Sequence, residues 1–487
     1  MDHRESCLTW SKLCGCTALA AVLFSATLRL SAAPPEPTSA PTSRPAAAAF
    51  LVVAPERFHD ALKEFVAYKQ YDLGTELVSL EQVLKTGTGV DDPERLKQFL
   101  YAAWKTRGTR YVLLVGDADV LPVRYMVLDR VTPPAFDYAF YPSDLYYADL
   151  AKPDGRFEDW NGRKDGFHGG YYGEVRGEKN KDDPINFDQI HYRPEIAVGR
   201  WPVNTPEEVA LVARKSMAYE RSLQRSAEDT RHAAALVVGG WVDVREQMNR
   251  IIARLPSGWK IDKRYYAEKD QPAPTPPPNE QNVVALLNEG VRLVLHAGHG
   301  NDDAWADCIS IRSLTQVHNA DHLPIMLSAG CSTARFATLP PYESYVDVDG
   351  HTHAGTNNGE VFTEPPPPPA PYQKGPHNPT GLGEQLLRGG PNGAVAYFGC
   401  NTGSQPCGVT LLEGFVDSLA KNPEARLGDC WTGAVSYYYE DEHLDQLKPN
   451  DDWYPPSIFF QGMKFMLFGD PTLPMPHAPH PTTQPAR

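Results

Sequence analysis

The stretches RLVLHAGHGN (292–301) and LPIMLSAGCST (323–333) decide how this chain is read. Each is an apolar run of strand length that passes directly into a turn of small residues, and each turn carries one reactive side chain, His299 or Cys331. In an open α/β sheet, sites form at the carboxyl ends of the strands. A single crossover between these two strands therefore sets both turns on one edge, imidazole and thiol within reach. Glycines at 298, 300 and 330 permit the tight turns and leave backbone N–H groups uncovered. Such groups can bind the oxyanion of a tetrahedral intermediate. A thiolate is a strong nucleophile and a nearby imidazolium lowers its pKa, so the pair suits acyl transfer. Either residue alone reads as an ordinary turn residue; the paired placement carries the chemistry.

Outward from this core, strands alternate with helices. Phe50–Val53 reads as a strand, Phe58–Tyr71 as a helix with Phe58, Leu62, Phe65 and Val66 on one face, and Glu76–Leu80 as a strand. The helical run Glu94–Lys105, with Asp92 as its cap, leads into the strand Tyr111–Val115. A second cycle begins at Ala233–Gly239 and continues through Arg245–Leu255, Lys260–Tyr266 and Gln281–Asn288 to the two quoted strands, then Gly381–Leu387 and Ala394–Phe398. This pattern predicts an α/β fold of two tandem subdomains with mainly parallel sheets covered on both faces. The expected divisions are a signal peptide (1–33), a Pro-rich linker (34–48), an N-terminal α/β subdomain (49–227), a catalytic α/β subdomain (228–476) and a disordered tail (477–487).

Residues 1–33 place Arg4 and Lys12 before an apolar stretch, Cys16–Leu28, that ends in Ser31, Ala32 and Ala33. That pattern predicts export, and the apolar core is short for a bilayer span, so no span is expected in the mature protein. The expected location is secreted, periplasmic or in the cell envelope. With 61 acidic against 46 basic residues the net charge is -15, which opposes binding to nucleic acid. Loss of residues 1–33 leaves Cys308, Cys331, Cys400, Cys407 and Cys430. An odd number in an oxidising compartment leaves at least one free thiol. Cys400 with Cys407 and Cys308 with Cys430 are conceivable disulfides, although connectivity is not readable from sequence.

The run ALLNEGVRLVLHAGHGNDDAW (285–305), followed by the cysteine of PIMLSAGCSTARF, resembles the catalytic core of the gingipain-like cysteine peptidases of family C25. Other blocks agree in order: YVLLVGDADVLP (111–122), SDLYYADL (143–150), PEIAVGRWPV (194–203), GPNGAVAYFG (390–399) and FGDPTLPM (468–475). The resemblance implies a caspase-like three-layer α/β/α fold and a secreted cysteine endopeptidase acting on proteins or peptides through a Cys-His dyad. It makes His299 the catalytic histidine and Cys331 the nucleophile, with the N–H groups of Gly300 and Cys331 as the oxyanion hole. His296 reads as a strand residue. No QAC-x-G, G-x-S-x-G or H-E-x-x-H motif is present, which argues against true caspases, serine hydrolases and zinc peptidases.

The resemblance also bears on the substrate pocket. The best-known members select Arg or Lys with an acid placed shortly before a Gly-Arg pair, here Gly199–Arg200. A gapless count falls on His191, whereas Asp188 serves if the loop is shifted; Glu195 reads as part of the strand that leads into Gly199. Asp188 and Trp305 are the pocket candidates. Gly116 and Asp117, at a strand end, read as turn residues that can shape the cleft. No cofactor is required, and a structural calcium in the acidic stretch Asp154–Glu174 rests on resemblance, since the spacing is not that of an EF-hand. Asp347, Asp349, His351 and His353 form another metal-ligating pattern, read as a solvated loop. The Pro-rich run 363–376 is an extended loop after the nucleophile. Two other readings fit the same residues: an inactive peptide-binding pseudo-peptidase, and a thiol amidase or transpeptidase.

Overall fold

The computed structural model describes residues 49–127, 139–160, 185–186, 190–225, 230–374, 380–448 and 454–477. The expected signal, the linker, Asp188, most of Asp154–Glu174 and the boundary at 228 lie outside the described residues. Ten strands form one sheet: β1 (Phe50–Ala54), β2 (Thr75–Ser79), β3 (Tyr111–Val115), β4 (Ala197–Trp201), β5 (His232–Val237), β6 (Lys260–Tyr265), β7 (Leu293–Ala297), β8 (Ile325–Ser328), β9 (Ala396–Cys400) and β10 (Phe465–Phe468). Their order is β2-β1-β3-β4-β10-β9-β8-β7-β5-β6. Both predicted α/β units thus contribute to a common sheet.

The alternation of side chains explains why helices cover both faces. Leu51 and Val53 of β1, Leu293 and Leu295 of β7, and Ile325 and Leu327 of β8 enter one buried cluster, with helices Asp92–Arg107, Arg245–Ala253, Val409–Lys421 and Leu427–Asp441. Their neighbours Phe50, Val52, Val294 and Met326 enter the other, with helices His59–Gln70, Pro206–Arg225, Glu280–Asn288 and Leu382–Arg388. Strands apolar at every position require this sandwich. The fold is the three-layer α/β/α arrangement expected. Asp91, rather than Asp92, caps helix Asp92–Arg107: its carboxylate accepts the Glu94 N–H at 3.0 Å, and Gly108, at φ 72°, ends the helix.

The strand not read from sequence is β10. It pairs antiparallel with β9 and parallel with β4, the latter through Phe468 opposite Arg200. All other pairs in the sheet are parallel. Strand sense therefore reverses between β10 and β9. The carboxyl ends of β7 and β8 share an edge with the amino ends of β3 and β4, and Gly116 and Asp117 lie at the other edge. They lie away from the edge that carries the His299 and Cys331 turns. Asp117 is buried and pairs there with Lys374 and Arg388.

Buried charge locks the junction. The Arg200 guanidinium has no solvent exposure; its Nε and Nη2 donate to the Asp144 carboxylate at 2.7 Å each, and Nη1 donates to the Gly116 carbonyl at 2.8 Å. Lys69 pairs with Glu220 and Asp470. Removing one partner of a buried pair leaves the other charge unmatched in a low-dielectric interior. Asp144→Ala is accordingly expected to lower stability by about 3–5 kcal/mol, measured by urea unfolding in a Cys331→Ala background.

Candidate functional site

The histidine turn leaves β7 at Ala297 and places His299 exposed on the sheet edge. Its Nε2 lies 2.8 Å from the Gly240 carbonyl oxygen. A carbonyl only accepts, so Nε2 carries the proton and Nδ1 is left as the basic nitrogen. Gly240 sits in the turn after β5 at φ 86°, a left-handed conformation that glycine adopts without strain. Sequence reading missed this partner; the Gly239–Gly240 pair after an apolar strand was its one visible trace.

The cysteine turn leaves β8 at Ser328. Gly330 N–H donates to Ser328 Oγ at 3.1 Å, and Cys331 is half-buried. Ser332, next in the chain, has φ 55°. A side chain in the left-handed region costs of order 1 kcal/mol and persists only where surrounding contacts enforce it. Those contacts come from the segment that follows β9: Ser332 N–H donates to Thr402 O at 2.8 Å, and Ala334 N–H to Cys400 O at 2.9 Å. Ser404 N–H points at Cys331 Sγ, 3.3 Å away. The Ser404 carbonyl oxygen lies 3.5 Å from the same sulfur. Ser404 is a second residue that sequence reading missed, because its contribution is a backbone amide.

The two turns touch. A Cβ on Gly300 would lie 2.8 Å from Cys331 O and 2.5 Å from Thr333 Cγ2, and one on Gly330 would lie 3.2 Å from Gly300 Cα. Only glycines allow this approach. The N–H groups of Gly300 and Cys331 donate to no acceptor among the described residues, so both are free to receive a ligand oxygen. Exposed imidazole, half-buried thiol and free amides thus share one sheet edge, an arrangement suited to thiol acyl transfer.

His296 takes no part. It is fully buried, stacked on Trp305 at 4.3 Å between ring centroids, and within 2.9 Å of Ser328 Oγ through Nδ1. Burial pulls its pKa down to about 3, so it is neutral. That agrees with its reading as a strand residue, but the pocket reading of Trp305 is corrected: the indole is fully buried between His296 and Tyr397 and donates to the Tyr397 hydroxyl at 2.8 Å. It supports the histidine turn from beneath and does not line a pocket.

Near the Gly199–Arg200 pair, His191 is half-buried with Nδ1 at 3.9 Å from Glu195 Oε1. Glu195 lies two residues before β4 rather than within it, and its carboxylate accepts the N–H groups of Leu150 and Ala151. Arg200 faces Asp144, so it is structural. Cys308, Cys331, Cys400, Cys407 and Cys430 form no disulfide with one another among the described residues. Cys308 lies in the cluster on one face of the sheet and Cys430 in the cluster on the other, which rules out that pairing. Asp347 is buried at 3% exposure, so its loop is not simply solvated.

The sequence model described as peptidase family C25 matches residues 43–476. The chain belongs to family C25. Among curated proteins, Gingipain R2 of Porphyromonas gingivalis is 24% identical over 306 residues, 60% of this chain and 33% of that protein. Gingipain R1 of the same organism is 24% identical over the same share of this chain and 24% of its own length. The chain thus spans a third or less of these relatives. Among solved structures, that of the Arg-specific cysteine proteinase gingipain R superposes with TM-score 0.58 at 17% identity, covering 90% of this chain and 81% of that one. The complex of pro- and mature domains of RgpB from P. gingivalis gives 0.56 at 17% identity, covering 88% and 80%. These likenesses establish that the C25 fold is shared.

The burial of four thiols makes a direct prediction. In native protein lacking residues 1–48, a disulfide reagent of the Ellman type should titrate Cys331 fast and the other four thiols only after denaturation. Burial raises the pKa of Cys308 and Cys430, which slows them further. Stopped-flow absorbance in the native and Cys331→Ala proteins checks this: the fast phase should vanish in the variant.

Proposed function

We propose that the mature chain is an exported cysteine endopeptidase working through Cys331 and His299. The observation that carries this is the contact between their two glycine-flanked turns at one sheet edge, in a chain of family C25. In the first step the Cys331 thiol proton passes to His299 Nδ1 while Sγ attacks the scissile carbonyl carbon, and the carbonyl oxygen becomes an oxyanion facing the Gly300 and Cys331 N–H groups. The C–N bond then breaks and His299 Nδ1 gives its proton to the leaving amine. Water attacks the resulting thioester, its proton passing to Nδ1, and the carboxylic acid leaves as the thiolate re-forms. Gly240 O holds the ring through Nε2 while Nδ1 exchanges the proton.

Support for this division of labour comes from His296, which burial keeps neutral and shut away from solvent. Cys331→Ala should abolish peptide hydrolysis with the fold retained. His299→Ala should lower kcat/KM by roughly 10²- to 10⁴-fold, whereas His296→Ala should chiefly lower the melting temperature. Turnover by Cys331→Ala, or the reverse order of the histidines, would refute the assignment. Transfer of the acyl group to an added amine in place of hydrolysis would favour a transpeptidase.

The substrate is proposed to be protein or peptide, with Arg or Lys before the cut bond. The basis is the sequence likeness to proteins named gingipain R and the fold shared with an Arg-specific proteinase. Asp188 is the proposed selector. A carboxylate facing a cationic side chain discriminates strongly because a neutral substrate leaves it unpaired. Profiling with a peptide library should show Arg or Lys preferred, and Asp188→Ala should reduce that preference far more than it reduces cleavage of neutral peptides. Export is proposed from residues 1–33 alone, with a mature N-terminus near residues 33–35, read by N-terminal sequencing of secreted protein.

A further inference from the structure

Between the nucleophile turn and helix Leu382–Arg388, the chain makes an excursion whose hairpin, strands Tyr345–Val346 and Thr352–His353, carries the sequence VDVDGHTH (346–353). Asp347 is buried at 3% exposure. Its Oδ1 accepts the N–H groups of Asp349 at 2.9 Å and His351 at 2.8 Å, which fixes the carboxylate. Its Oδ2 faces two imidazoles, His353 Nε2 at 3.1 Å and His351 Nδ1 at 3.4 Å. Ligand atoms of Asp347, Asp349 and His351 all lie within 4.8 Å of one another.

The next shell lies outside this cluster. His353 Nδ1 is 2.8 Å from Glu360 Oε1, and Glu360 Oε2 accepts the Gly355 N–H at 2.9 Å. His353 is thus held between two carboxylates, Glu360 at Nδ1 and Asp347 at Nε2. That carboxylate–histidine arrangement is how metal-ligating histidines are oriented. Asp347, Asp349 and Glu360 form no ion pair with Lys or Arg among the described residues.

We propose that this hairpin binds one divalent transition-metal ion of the zinc class through Asp347, Asp349, His351 and His353. Two imidazole nitrogens with two carboxylate oxygens make a four-ligand set of the kind zinc takes, and they disfavour calcium, which prefers oxygen alone. Glu360 is the outer partner of His353. The ion would brace the hairpin, which is hydrogen-bonded to the Pro-rich strap: Ala370 N–H donates to Val346 O at 2.8 Å, Val348 N–H to Pro368 O at 2.9 Å, and Tyr345 OH to Pro367 O at 2.9 Å. The strap in turn reaches the first half of the sheet, where Gln373 N–H donates to Ala118 O at 2.9 Å and Val123 N–H to Pro371 O at 2.8 Å. Hairpin and strap thus link the two halves on the side away from the His299 and Cys331 turns.

The test uses Cys331→Ala protein, so that the reactive thiol cannot take the metal, stripped with EDTA and dialysed. Zn²⁺ is titrated against a chromophoric chelator. One equivalent should bind, raising the melting temperature, with millimolar Ca²⁺ unable to displace it. His351 is 75% exposed, so His351→Asn should fold normally yet bind at least about tenfold more weakly; Glu360→Gln should weaken binding by roughly 10- to 100-fold. Asp347→Asn with His353→Gln should abolish it. Stoichiometric binding that survives His351→Asn unchanged, displacement by Ca²⁺, or no zinc bound beyond that of the double variant would each overturn the proposal.

Discussion

Everything at the site depends on the reversal of strand sense where β10 enters the sheet. Strands β1 to β4 run one way and β5 to β9 the other, with β10 parallel to the first set and hydrogen-bonded antiparallel along β9. Had the sheet been parallel throughout, the loops before β4 would open on the edge remote from Cys331. The reversal brings the carboxyl ends of β7, β8 and β9 beside the amino ends of β3 and β4. Side chains confirm the juxtaposition: Asn401, just past β9, donates to Pro142 O, and Ser143 Oγ donates to Met463 O at 2.7 Å. The first half of the chain can therefore furnish walls for a cleft whose chemistry belongs to the second.

Such a junction rests on one residue pair in register, so side chains must reinforce it. Arg200 does so from β4 through Asp144, and Lys69 does so from helix His59–Gln70 by reaching Glu220 and Asp470 on either side of the seam. A buried ion pair is seldom a strong net contributor to stability, because desolvation offsets most of the attraction. Its effect is on geometry: with both partners desolvated, a displaced seam would leave several charges unmatched at once. Apolar packing alone imposes no comparable penalty on a shift of one strand position along a uniformly apolar strand such as β3.

What could be read from the sequence was whatever short-range pattern dictates. Strands β1, β3, β5, β7 and β8 are apolar runs ending in small residues, and their helices show one-sided spacing, so these elements and the placement of His299 and Cys331 at strand ends were legible. The burial of His296 was legible too, since a histidine inside an apolar strand points into a packed layer. Strand β10 was not: FMLF (465–468) is four residues long, and its direction is set by β9 and β4, hundreds or tens of residues away. Disulfide pairing failed for the same reason, because spacing says nothing about which face of a sheet Cys308 and Cys430 occupy. Trp305 was misjudged because an aromatic six residues past a reactive histidine packs as readily beneath the turn as beside it. Gly240 and Ser404 escaped because they act through peptide groups, which every residue possesses.

That last point bears on how the site tolerates sequence change. His299 is held by the Gly240 carbonyl, and the Cys331 turn by the carbonyls of Thr402 and Cys400, with the Ser404 amide at sulfur. The proposed oxyanion hole is likewise two peptide N–H groups. Side-chain identity matters at His299, at Cys331 and at the glycines, where a Cβ would force the turns apart; elsewhere around the dyad it matters only that the backbone follows the same path. A backbone path is fixed by the sheet and its junction, and many sequences satisfy those. A fold shared with gingipain R at 17% identity fits this account: a backbone path set by sheet and junction persists while most side chains change.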